Sequence, residues 1–181
     1  MMKKILALCL ALLLAMSAAL ATPAADEAYD LVDLANEMIS AIYPDEGQLF
    51  VYADEMEDGL ISFSTEDGDI AICAIPDAAG EHVDIMMLVC SNQDKARLAM
   101  NTICALPFAY DDVDGAVLVA AWFDDLFDDV LAAMESGEVF MTSFEDAATF
   151  RVELVVAPTD VGNRLNIFFY ATGESDGSGA A

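Results

Sequence analysis

Asp67-Gly68 narrows the fold of this chain more than any other dipeptide in it. It lies between two apolar-rich runs, Gly59–Thr65 and Asp69–Ile75, and Asp-Gly favours the mirror-image turns whose twist suits a tight hairpin. A two-residue loop fixes the register. Phe63 then lies opposite Ile72, and Ile61 opposite Ala74. One face of the hairpin carries Ile61, Phe63, Ile70 and Ile72. The other carries Ser62, Ser64, Ala71 and Cys73, smaller and more polar. In the next run, His82–Val89, the residues Val83, Ile85, Met87 and Val89 are expected to join the apolar face.

The flanking segments follow from their periodicity. Asp26–Tyr43 has helical spacing, with Leu31, Leu34, Ala35, Met38 and Ile42 on one face and Pro44 closing it. Gln48–Asp54 reads as a strand. Ser91-Asn92-Gln93-Asp94 resembles a capping box with Asp in place of Glu and opens a second helix that ends by Pro107. A third helix runs to about Met134, with a stripe of Val119, Phe123, Leu126, Phe127, Val130 and Met134, and Gly137 stops it. Strands are expected at Glu138–Phe144, Thr149–Val156 and Arg164–Ala171. The order α-ββββ-αα-βββ predicts an α+β fold: a two-layer antiparallel sheet with helices on one face. Segments 26–75 and 116–171 share a helix-plus-three-strand order, a possible degenerate α-βββ repeat.

Residues 1–21 have the pattern of a signal peptide: Lys3 and Lys4, the apolar run Ile5–Met16, and Ala19-Leu20-Ala21 as the cleavage site. The run is short for a membrane span, so cleavage is expected over retention as an anchor. Residues 22–172 then form one α+β domain, and 173–181 a flexible Gly/Ser/Ala tail. The mature chain keeps four bases (Lys95, Arg97, Arg151, Arg164) against 33 acids, hence a charge of −29. A chain that is 57 % hydrophobic is not a disordered acidic tail. The charge argues against nucleic acid and against anionic membrane surfaces as partners. The expected location is secreted or extracytoplasmic.

Three groups of residues are candidates for chemistry. If His82–Val89 pairs with Asp69–Ile75 so that apolar faces match, Asp84 lies opposite Cys73 with His82 one position away. Thiol, imidazole and carboxylate would then share a face, as nucleophilic catalysis requires. His82 is the only histidine, and the bland alternative pairs it with Asp84 as an ordinary strand residue. The second group is Asp124, Asp125, Asp128 and Asp129, which form one stripe on the third helix and would suit Ca²⁺. No segment completes an EF-hand loop. The third group is the mature cysteines Cys73, Cys90 and Cys104. The plain reading of these is three small buried apolar residues; the one pair that could reach each other for a disulfide is Cys73 and Cys104, sheet and covering helix. No nucleotide-binding, nucleophile-elbow or zinc-protease motif is present.

The leading expectation is a non-enzymatic binding domain for a cationic protein, peptide or polyamine, because the field of the chain attracts such partners. The alternative is a hydrolase-type enzyme using Cys73, His82 and Asp84 or a carboxylate pair. A calcium-binding secreted protein is a further alternative.

Overall fold

The computed structural model describes residues 23–44, 49–55, 60–160 and 162–172. Residues 1–21, read above as a signal peptide, and 173–181, read as a tail, lie outside the described residues. Helix α1 (Pro23–Ile42) is followed by β1 (Val51–Glu55), β2 (Ile61–Ser64), β3 (Ile70–Pro76) and β4 (Val83–Cys90). A 3₁₀ turn leads into α2 (Ala96–Ala105), and a second one, Leu106–Tyr110, into α3 (Val113–Ser136). Strands β5 (Phe140–Phe144), β6 (Phe150–Thr159) and β7 (Gly162–Ala171) complete the chain. The fold is α+β, and its element order is the one expected.

All seven strands form one antiparallel sheet in the order β1-β2-β3-β4-β7-β6-β5. The Asp67-Gly68 hairpin has the register that its loop length dictates, with Phe63 opposite Ile72 and Ile61 opposite Ala74. Thr65 secures the turn: its hydroxyl donates to Asp67 Oδ1 at 2.7 Å and accepts from the Ile70 N–H at 3.1 Å. The Lys95 ammonium donates to Asp67 and lies 3.7 Å from Asp69, tying the turn to the entry of α2. Lys95 and then Thr65 hold the Asp67 carboxyl well below the ordinary carboxylate range.

The helices cover one face. Ile61, Phe63, Ile70, Ile72, Val152, Leu154, Leu165 and Ile167 are buried against them. Beneath α3 the core is aromatic, with Phe150 stacked between Phe144 and Phe169, and Trp122 against Phe144. Asp112 caps α3 by accepting from the Gly115 N–H at 2.8 Å, and its second oxygen accepts from the Thr149 hydroxyl at 2.7 Å. Gly115 is needed there, because a Cβ would fall 2.6 Å from the Asp112 carboxylate and 2.7 Å from the Phe150 ring. Gly137 ends the helix in the left-handed conformation, φ 75°.

Four sequence expectations are corrected. On β4 the residues facing the helices are Val83, Met86, Leu88 and Cys90, whereas Ile85, Met87 and Val89 face away. The cause is a bulge: Ile75 pairs with Ile85 but Pro76 with Val83, so Asp84 is an extra residue and the phase changes there. The strand is apolar on both sides, so alternation could not have located that change. On α1 the inward stripe is Ala24, Ala28, Leu31, Val32, Ala35 and Ile39, while Ile42 is 55 % exposed. Before α2 the cap is Asn92, whose side chain accepts from the Asp94 N–H, and not Ser91. Finally, the helix-plus-three-strand order does recur, but β1 and β5 occupy opposite edges, run the same way and have their helices on one face. No rotation superposes two such segments. They are of opposite hand, which excludes a duplicated structural unit.

Two stability predictions follow from these contacts. Asn36, buried in α1, donates to the Phe50 carbonyl at 3.1 Å and accepts from the Phe50 N–H at 2.9 Å. Asn36→Leu leaves both backbone groups unsatisfied and lowers unfolding stability by about 2–3 kcal/mol in urea titrations. The depressed Asp67 carboxyl contributes stability that is present above pH ~4 and lost as pH falls through its folded value. Lys95→Ala therefore flattens the acid limb of the stability–pH curve.

Candidate functional site

The residues proposed for thiol chemistry do not come together. Cys73 lies opposite Met87 rather than opposite Asp84. Asp84 is the exposed bulge residue. His82 precedes β4 by one residue and lies five residues along the chain from Met87, about 16 Å at strand rise. Its side chain is 63 % exposed, and its carboxylate neighbour is Glu27, with Nδ1 3.4 Å from Oε2, instead of Asp84. Burial pushes the Cys73 thiol up, the reverse of what a nucleophile needs.

Glu27 organises that end of the molecule. Its carboxylate accepts from the Val83 N–H at 2.9 Å, fixing the start of β4 on α1. Tyr110 also meets it: burial, aided by the Glu27 charge, drives that phenol up to about 12. No local pattern marks Glu27, because its partners, His82, Val83 and Tyr110, lie more than fifty residues away along the chain.

The three described cysteines, Cys73, Cys90 and Cys104, are all free. Cys104 projects from α2, on the helical side, whereas Cys73 stands on the opposite face of the sheet. The sheet itself separates them, which overturns the Cys73–Cys104 pairing. Burial also raises the Cys90 thiol, and carries that of Cys104 to about 12.

On α3, Asp124, Asp125, Asp128 and Asp129 are all exposed. Arg97 pairs with Asp124 and lays its guanidinium 3.6 Å from the centre of the Phe127 ring. The other three have solvent before them. Among the described residues no three His, Cys, Asp or Glu side chains converge closely enough to hold a metal ion. A groove of about 480 Å³ runs along α1, lined by Asp33, Asn36, Glu37 and Ser40. The amide of Asn36 is already committed to Phe50.

The far face of the sheet is the largest organised surface. Its residues form ladder rows across the strands. One row runs Met141, Val155, Asn166, Val89, Ala71, Ser64 and Val51. The next runs Ser143, Glu153, Phe168, Met87, Cys73 and Ser62, and a third Arg151, Tyr170, Ile85 and Ile75. Most are half-buried by their strand neighbours alone, and Met141 is 75 % exposed. On the paired positions, Glu153 and, where the second row continues from Ser62 to β1, Asp54 are the acids, and Arg151 and Arg164 are the bases. Glu153 is locally neutralised. The Tyr170 hydroxyl donates to it at 3.0 Å, Arg151 lies 3.4 Å from it, and the Arg151 guanidinium covers the Tyr170 ring at 4.0 Å. The sequence shows the small residues of this face at Ser62–Ser64 and Ala71–Cys73. It does not show the apolar ones on β4 and β7, because Ile85–Val89 and Ile167–Tyr170 are apolar in both phases.

No protein-family model matches the chain, and neither a curated protein nor a solved structure is similar to it. Among the described residues no helix is long and apolar enough to cross a membrane.

The raised thiols make a chemical prediction. All three cysteines should alkylate with iodoacetamide at pH 8 more slowly than a free thiol of ordinary pKa, with Cys104 slowest. Peptide mapping after timed quenching reads each rate. Cys73 outpacing the free thiol would restore the nucleophile reading.

Proposed function

We propose that this chain is an exported, non-enzymatic interaction domain for a cationic partner: a basic protein, a basic peptide or a polyamine. The observation that carries the reading is the outward stripe of α3. Asp125, Asp128 and Asp129 are exposed there, with Arg97 answering only Asp124. Like charges at i,i+4, as in Asp125 and Asp129, destabilise a helix by a few tenths of a kcal/mol, roughly 0.2–0.5. A cation bridging them relieves that repulsion, so the free protein is already arranged to favour a positive ligand. The surrounding charge, −27 for the full sequence, adds long-range attraction that raises encounter rates.

Titration with spermine or a short oligolysine, followed by calorimetry, tests the reading. Affinity should fall by roughly tenfold or more from low salt to about 0.5 M NaCl, where the Debye length is near 4 Å. Asp125→Asn, Asp128→Asn and Asp129→Asn together should weaken binding more than three Asp→Asn changes elsewhere. Salt-insensitive binding, or an unaffected triple variant, overturns the proposal.

A further inference from the structure

We propose that the open face of the sheet is the surface on which a second copy of this chain docks, sheet against sheet, with the helices outward in both protomers. Two strongly anionic chains repel wherever their ordinary surfaces meet. The open face is the exception: its ladder positions hold Arg151 and Arg164 against Glu153 and, on β1, Asp54, so the face is nearly neutral in a chain of −27. A nucleic acid or an anionic surface would be repelled by the rest of the molecule. A cationic partner gains nothing from a face that is itself nearly neutral. A copy of the chain brings a matching apolar face, and with the helices outward in both protomers their acidic sides lie farthest from the contact, so the remaining repulsion is the part that salt screens.

The chemistry of the face also suits a copy of itself. Its centre is Met87, Phe168, Ile85 and Val89, flanked by Val155 and by Met141, which is 75 % exposed at the rim. Arg151 and Glu153 stand side by side near its edge, so a two-fold axis can set opposite charges across the interface as well as within each chain. The Nε of Arg164, on the same face, is buried without a hydrogen-bond partner among the described residues. Six strands about 4.8 Å apart and about 20 Å of strand length give a flat footprint of about 600 Å² per copy before side-chain relief is counted. That approaches the roughly 800 Å² per partner of a stable, specific interface. Paired sheets pack at about 10 Å, a spacing these medium-sized side chains fill.

Sedimentation equilibrium on the chain, purified as its expressing host leaves it, tests the proposal. Twice the chain mass is expected at micromolar concentration. Because screening removes repulsion and leaves apolar burial intact, added NaCl should tighten the association, by roughly threefold or more at high salt. That sign is opposite to the one expected for the cationic partner, so the two readings fail separately. Phe168→Lys and Met87→Lys should each give a monomer with unchanged far-ultraviolet circular dichroism. Met141→Lys, at the exposed rim, serves if either fails to fold, and should weaken the dimer at least fivefold. In the wild type, Cys73 should be shielded from a bulky water-soluble maleimide at dimer concentrations and become accessible in Met87→Lys. A wild-type monomer at all salt concentrations overturns the proposal. So does a dimer that loosens in salt or survives both central substitutions, or a chain that dimerises only once residues 173–181 are removed.

Discussion

The architecture depends on one pairing, that of β4 with β7. Six consecutive positions join Ile85–Cys90 to Leu165–Tyr170 across more than seventy residues of chain. Without it the molecule is two meanders, each with a bare inner edge and half a core. With it, β4 becomes a central strand, and the helices between β4 and β5 are obliged to cross the same face that α1 already covers. At 1.5 Å per residue, α3 is about 36 Å long. That length reaches from the middle of the sheet to its far edge, where β5 begins. The long closure is made worthwhile by what it buries: Leu88, Cys90, Leu165, Ile167 and Phe169 are all at 0–1 % exposure.

The same closure sorts the charge. One face of the sheet belongs to the core, and the helices turn their acids outward from it. The other face is left with apolar and small residues and very few charges. A strongly anionic chain thus has two chemically distinct exteriors: a carboxylate-rich helical side and a nearly neutral sheet side. The two proposals above follow that division, one for each side, and they respond to salt in opposite directions for that reason.

Local patterns were enough at several elements with a single buried face, though not on α1, where short alanines shift the inward stripe and Ile42 is exposed. The hairpin register at Asp67-Gly68, the stripe of α3 with its Gly137 stop, and the alternation of Phe150, Val152, Leu154 and Val156 all belong to this kind. Alternation was mute on β4, where VDIMMLVC is apolar in both phases and a single extra residue, Asp84, decides which phase faces inward. The grouping of Cys73, His82 and Asp84 rested on that phase and fell with it. Glu27 could not be found by any spacing rule, since what defines it is contact with Val83, His82 and Tyr110 from distant parts of the chain.

The sequence by itself determined the class, the element order, the Asp67-Gly68 turn, the Gly137 helix stop and the excess of acids. These are set by short-range effects: backbone preferences, caps, periodicity and the sum of charges. Only the tertiary structure decided which face of β4 is inside, that Cys73 and Cys104 lie on opposite sides of the sheet, that His82 faces Glu27, and that one broad sheet face is left largely apolar and nearly neutral. Those outcomes depend on a bulge and on a pairing between strands far apart in the chain. Their energies come from contacts that exist only once the sheet has closed.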